Sequence, residues 1–256
     1  MFIGAIKKPV LTLPILIFLI FAVKSEAYDK DYPPYKFKVG PFKSLQSKPL
    51  VDYDHSEYKS SDGKVVVRLI EKDSESFDFD IKEDNNIVFK KNIRDTPFPY
   101  EVYREDVDGN NLKDFIVFSS YRMNGFSSWG LRVEIFLRKK EGGYQRIAYD
   151  GAYVGMEDFV DFNKDGKYEV IISGIYSGRE HTYYSYDIYE FEDYKLVNAD
   201  SKYKGFPKFV WFTNEPNDKD TIHLTSKERK VHVEEKNRSL TYEVVPSKST
   251  VSVVRH

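Results

Sequence analysis

"DFNKDGKYEVIIS", residues 161 to 173, places oxygen-bearing side chains at its first, third, fifth and ninth positions (Asp161, Asn163, Asp165 and Glu169), puts Gly166 at the sixth, and then turns apolar. Fifty-five residues earlier the chain reads "DVDGNNLKDFIVF", residues 106 to 118. Asp106, Asp108, Asn110 and Asp114 repeat the spacing, with Asn111 at the sixth position. Glycine and asparagine are the residues that most readily take the positive φ of a tightly wound loop. Alternate residues of such a loop aim inward, so positions 1, 3 and 5 converge. The carboxylate at position 9 closes the site from the next strand, and the backbone carbonyl of position 7, Leu112 or Lys167, adds a further oxygen. Calcium takes 6 to 8 oxygen ligands, so the loops are expected to hold calcium. An EF-hand shares the first half of the pattern but requires a bidentate Glu at position 12. Val117 and Ile172 stand there, inside apolar runs, which excludes it. Gly166 against Asn111 at the turn predicts tighter binding by the second loop.

The repetition extends beyond the loops. "FIVF" after the first aligns with "VIIS" after the second, and "VEIF" (133 to 136) matches "YDIY" (186 to 189) at an offset of 53. The simplest unit has about 50 to 55 residues: an acidic loop, a buried strand, a loop of Gly, Ser and aromatic residues, an amphipathic strand and a short third strand. Other short runs bounded by Gly, Asn, Asp and Pro read as strands at 64–70, 76–82, 86–92, 208–213, 221–225, 230–235 and 240–245. "EDNN" (83 to 86) and "EKNRS" (235 to 239) read as hairpin turns. Aromatic content is 16 %, which suits strands. The expected fold class is all-β, with antiparallel blade-like sheets.

The pattern D-x-[DN]-x-[DN]-[GN]-x-x-[DE] before an apolar strand resembles the calcium loop of FG-GAP and VCBS repeats, found in integrin-α-type β-propellers and in exported bacterial proteins. The resemblance covers 97–203. It implies four-stranded blades with calcium in the loop between the first two strands of each. The Phe-Gly and Gly-Ala-Pro signatures of that family are missing. Seven such blades need some 350 residues, so a small or partial propeller with flanking β-hairpins is expected. The expected divisions are 1–27, 28–95 with an extended segment and hairpins, 96–205 with the two repeats, and 206–256 with further hairpins or a degenerate blade.

Residues 1–27 read as a secretory signal peptide: Lys7 and Lys8, then the apolar run Pro9 to Val23, then Ser25 and Ala27 as a small-x-small cleavage site. The run is shorter than the roughly 20 residues of a membrane-spanning helix. A secreted or periplasmic chain of 229 residues beginning at Tyr28, without a stable membrane span, is expected. It has no cysteine, so disulfides and thiolate metal sites are excluded. With 39 basic against 41 acidic residues it lacks the basic excess of a nucleic-acid binder.

No HExxH, GxSxG or Gly-rich phosphate loop occurs. A binding protein is therefore expected rather than an enzyme. The loops "SSYRMNGFSSWG" (119 to 130) and "SGREHTYYSY" (177 to 186) hold matching places in the two units. Tyr121, Arg122 and Trp129 in one, and Arg179, His181, Tyr183 and Tyr184 in the other, are of the types that dominate binding hot spots. They are expected to form one edge for a protein or carbohydrate ligand. The alternatives are an envelope hydrolase of glycosidic type, with carboxylates such as Glu157 and Asp158, and a purely structural envelope protein.

Overall fold

A computed structural model describes residues 44–52, 55–73, 76–93, 98–121, 131–152, 154–177, 181–211 and 222–246. The signal segment lies outside them, as do Arg122, Trp129 and Arg179.

The chain is mostly antiparallel β. Strands β1 (Glu57–Lys59), β2 (Val65–Asp73), β3 (Ser76–Glu83) and β4 (Asn86–Ile93) form a four-stranded meander. Asp84 and Asn85, with φ of 49° and 63°, make the tight turn between β3 and β4 that "EDNN" announces. A second meander follows: β5 (Phe98–Glu105), β6 (Asp114–Ser120), β7 (Leu131–Arg138) and β8 (Tyr144–Gly151). The third comprises β9 (Phe159–Val160), β10 (Glu169–Ser177), β11 (Thr182–Glu192) and β12 (Lys195–Asn198). Strand β13 (Lys208–Trp211) pairs with the first half of β11, and β12 with the second half. Strand β14 (Thr241–Val245) joins the second sheet beside β8. Each of the three sheets is open, none being closed into a barrel.

The sheets stack face to face, and the residue alternation along the strands shows how. Phe115 and Val117 of β6 point toward Val67, Phe79 and Ile81 of the first sheet. Ile116 and Phe118 point the other way, toward Phe159, Val170 and Ile172 of the third. The middle sheet is thus buried on both faces, which explains why "FIVF" is continuously apolar rather than alternating. The outer face of the third sheet is covered by its own C-terminal extension, where Ala199, Phe206 and Val210 pack on Ile171, Tyr184 and Ile188. The extended segment 44–52 touches two sheets through single bridges, Ser44 to Val160 and Val51 to Val102.

The described part of 206–256 departs from the expectation of hairpins. Residues 230–235, expected as a strand, and 235–239, expected as a turn, lie in one helix, α1 (Ser226–Ser239). Residues 222–225 are not in a strand. A capping box starts the helix: Thr225 Oγ1 accepts the Glu228 N–H at 3.3 Å, and the Glu228 carboxylate accepts the Thr225 N–H at 3.0 Å. Strand β14 then falls where 240–245 was expected.

Candidate functional site

The two acidic loops join β5 to β6 and β9 to β10, the first two strands of their meanders. Both wind in the same way. Asp106 accepts the Asn110 and Asn111 N–H groups at 3.1 and 2.8 Å; Asp161 accepts those of Asp165 and Gly166 at 3.1 and 3.2 Å. Asn110 Oδ1 accepts the Leu112 N–H at 2.7 Å, and Asp165 Oδ1 the Lys167 N–H at 2.8 Å. Position 3 contributes likewise, through Asp108 and Asn163. The carboxylate at position 9 reaches back to position 2: Asp114 accepts the Val107 N–H at 3.0 Å, and Glu169 the Phe162 N–H at 2.8 Å.

Positive φ occurs at positions 4 and 6 of each loop. Gly109 (70°) and Asn111 (66°) hold them in the first, Lys164 (62°) and Gly166 (84°) in the second. The expected advantage of the second loop considered position 6 alone. Each loop in fact has one glycine and one side chain in the left-handed region, and asparagine tolerates it better than lysine, so the backbone does not favour the second loop.

Convergence does separate them. In the first loop, ligand atoms of Asp106, Asp108 and Asp114 lie within 4.8 Å of one another, and this is the one such acidic group among the described residues. Asp114 is fully buried. Burial pushes its carboxyl up to about 8, despite bonds from the Val107 and Arg138 N–H groups. Burial likewise raises Asp108 and Glu169. Like charges gathered away from water are costly unless a cation joins them. The loops also touch. The Tyr168 N–H donates to the Val107 carbonyl at 3.1 Å, and a Cβ on Gly109 would meet Lys167 Cγ at 2.5 Å.

The residues expected at a binding edge divide. Tyr121 is half-buried and donates to Asp150 at 3.0 Å, beside Arg132. His181 is exposed, its ring 4.4 Å from that of Trp211. Tyr184, at 2 % exposure, belongs to the outer core of the third sheet, and Tyr183 is buried with its ring 6.5 Å from Tyr176. These two rings support the sheet and are not offered to a ligand. Replacing Tyr184 by Ala is expected to cost about 3–5 kcal/mol in denaturant unfolding, against less than about 1 kcal/mol for Tyr121→Ala. Equal small losses would return Tyr184 to the surface.

Of the carboxylates Glu157 and Asp158, the second has a local structural role. Asp158 accepts the Gly155 N–H at 3.1 Å and so caps the 3₁₀ turn Met156–Asp158.

His232 falls within 230–235, which reads as a strand in the sequence. It lies on α1 at 4 % exposure, and its Nε2 is 2.8 Å from Oδ1 of Asp187, itself fully buried on β11. His232 also lines a cleft of about 470 Å³ between α1 and β10, together with Tyr176, Thr225, Lys227, Glu228, Val231 and Glu235. The available signal was "TSKE" (225 to 228), a capping-box pattern that would have placed His232 and Lys236 four residues apart on one helical face.

No protein-family model, no curated protein and no solved structure matches this chain.

Proposed function

We propose that this chain is an exported β-repeat protein, stiffened by calcium, that binds a protein or glycan ligand at or outside the cell envelope. One observation carries the reading: two loops 55 residues apart share side-chain acceptors, positive-φ positions and place in a four-stranded meander. Asp106, Asp108, Asn110, Asp114 and the Leu112 carbonyl would hold one ion. Asp161, Asn163, Asp165, Glu169 and the Lys167 carbonyl would hold the other. Oxygen donors without sulfur or nitrogen suit a hard cation. The stacked meanders support a blade-like, partial-propeller reading, in line with the resemblance to FG-GAP and VCBS repeats. The apolar run before Ala27 supports export to the periplasm or beyond.

Calcium here has a structural role. It neutralises the converging carboxylates and fixes the start of β6 and of β10, the strands from which the aromatic loops leave. The exposed Trp211 and His181 rings, with Tyr121 near Arg132 and Asp150, supply the stacking and polar groups of a binding surface.

The test is a retention assay on immobilised chain, with envelope glycans in one arm and envelope proteins in the other, each with and without a calcium chelator. Retention in one arm, lost on chelation and in an Asp106→Ala, Asp161→Ala double variant, is expected. Failure of both arms with calcium present would overturn the binding reading.

A further inference from the structure

Three strands of the third sheet set aromatic residues in register. Tyr176 of β10 stands opposite Tyr183 of β11, and Tyr183 stands opposite Trp211 of β13. Residues paired in this way share one face of a sheet. Neighbouring strands lie about 4.8 Å apart, so the outer members of the row are separated by about 10 Å. Tyr183, at 8 % exposure, is the pillar between them, its ring 6.5 Å from that of Tyr176 and 6.4 Å from that of His181. Trp211 is 37 % exposed at one end of the row, beside His181, and Tyr176 is half-exposed at the other.

The Tyr176 end opens into the cleft against α1, whose volume of about 470 Å³ is that of a small-molecule site. Phe209 and His232 hold the Tyr176 ring, with ring centres 5.1 and 5.7 Å from it. The helix makes the other wall. Glu228, His232 and Glu235 follow the helical repeat and lie on one side of α1, with Val231 beside His232. The helix sequence, "SKERKVHVEEKNRS", contains two apolar residues, Val231 and Val233. A helix of this kind has no apolar stripe with which to dock, so packing alone does not account for the wall it presents.

The lining selects among ligand classes. The Glu228 carboxylate accepts the N–H and the hydroxyl of Thr225 at 3.0 and 2.7 Å, so the helix N-terminus is already capped by a negative charge, which repels an anion. Lys227 at the same rim opposes a cation. A wholly apolar ligand would bury the charged groups without partners. A neutral ligand with several hydroxyls and an apolar face meets all of these conditions. His232 sets the same requirement. It is 4 % exposed, its Nε2 lies 2.8 Å from Asp187, and its Nδ1 meets no protein partner. A hydroxyl both donates and accepts, so it satisfies that nitrogen with or without a proton on it. A sugar ring carries hydroxyls around its edge and C–H groups on its face, and the face suits the rings of Tyr176 and Trp211.

We propose that the aromatic row and the α1 cleft form one glycan-binding track for a neutral oligosaccharide. One sugar stacks on Trp211 beside His181. Another enters the cleft, where Tyr176 meets its face and Glu228, His232 and Glu235 meet its hydroxyls. The proposal rests on the binding reading above and narrows it to a glycan and to the third sheet.

Titration calorimetry of the full chain with cello-, chito-, xylo- and malto-oligosaccharides tests this. One series is expected to bind, and its oligomers more tightly than its monosaccharide, because the track spans about 10 Å. Glu235 is exposed, so Glu235→Gln should leave the fold intact while lowering affinity at least about tenfold, the effect of losing a hydrogen bond to a charged group. Trp211→Ala should lower it by a similar factor, about tenfold or more. Ile175, exposed next to Tyr176 on the opposite face of β10, is the control, and Ile175→Ser should leave affinity unchanged. Binding of none of the four series overturns the inference, as does a folded Glu235→Gln chain that binds as tightly as the parent. Retention of an envelope protein by a chain that binds no neutral oligosaccharide overturns the track and leaves the broader binding reading standing; retention of neither overturns both.

Discussion

Replacing Glu83 by alanine is expected to destabilise the protein by about 3–5 kcal/mol, measured by denaturant unfolding. Glu83 ends β3 at 5 % exposure and receives three donors from the neighbouring sheet: Arg104 on β5, Arg138 on β7 at 2.8 Å, and the Tyr144 hydroxyl on β8. One carboxylate thus ties the first sheet to three strands of the second. Its removal leaves the Arg104 guanidinium without its counter-charge and Arg138 with Asp84 alone at 3.6 Å, and an unpaired charge costs more than the pair contributes. The Lys113–Glu105 pair is the control. It is exposed on its lysine side at 50 %, and Glu105→Ala is expected to cost less than about 1 kcal/mol. A loss below 1 kcal/mol for Glu83→Ala would mean that Phe79, Phe89 and Phe136 hold the sheets together on their own.

Calcium is expected to raise the melting temperature by roughly 10–20 °C at a hundredfold excess over its dissociation constant. Each filled site contributes about 2.7 kcal/mol at that excess. Two filled sites give roughly 5 kcal/mol, and a chain of this size gains about 2–4 °C per kcal/mol. The paired loops also redirect the ranking of variants. Since the left-handed Lys164 offsets the advantage of Gly166, the gathered carboxylates decide, and these are Asp106, Asp108 and Asp114. Asp106→Ala is accordingly expected to remove at least as much of the calcium response as Asp161→Ala, the reverse of the order suggested by Gly166 alone. Contact between Lys167 and Gly109 should make each variant weaken both sites. Unchanged melting in chelator, with no heat of binding at millimolar calcium, would reduce the loops to polar turns.

Much of the β architecture was legible because local pattern and burial agree. Strand β6 contains "FIVF", the apolar run read after the first loop and sealed on both faces, and the turn at Asp84 and Asn85 is announced by residues that tolerate left-handed backbone. The loops were legible because their spacing recurs, so a coincidence of acidic residues in one copy could be weighed against the other. Short strands without their own signal were not: β9 is two residues long and exists through its pairing with β10. The helix was missed because Val231, His232 and Val233 mimic the alternation of a strand. Its apolar content was the wrong guide, since a capping box at Thr225, the His232–Asp187 contact and Lys236 over Gly174 hold it. Tyr183 and Tyr184 misled in the opposite sense. Tyrosine suits both a binding surface and a crowded core, and the choice depends on β13, which covers that half of β11.

The strand β14 has a consequence for how the chain comes to be built. Thr241 pairs with Ala148, and its hydroxyl donates to the Ala148 carbonyl across 93 residues of sequence. A polypeptide is made, and exported, from its amino end. The meander β5–β8 is therefore on hand well before its fifth strand. At about 5–20 residues per second, the outer edge of β8 waits roughly 5–20 seconds for a partner. An edge left bare for that long is a template for foreign strands. Ribosomes stalled before Thr241, or proteases that clip there, would release chains whose second sheet ends in an open row of backbone donors and acceptors, and such chains should aggregate through β8 rather than through the loops.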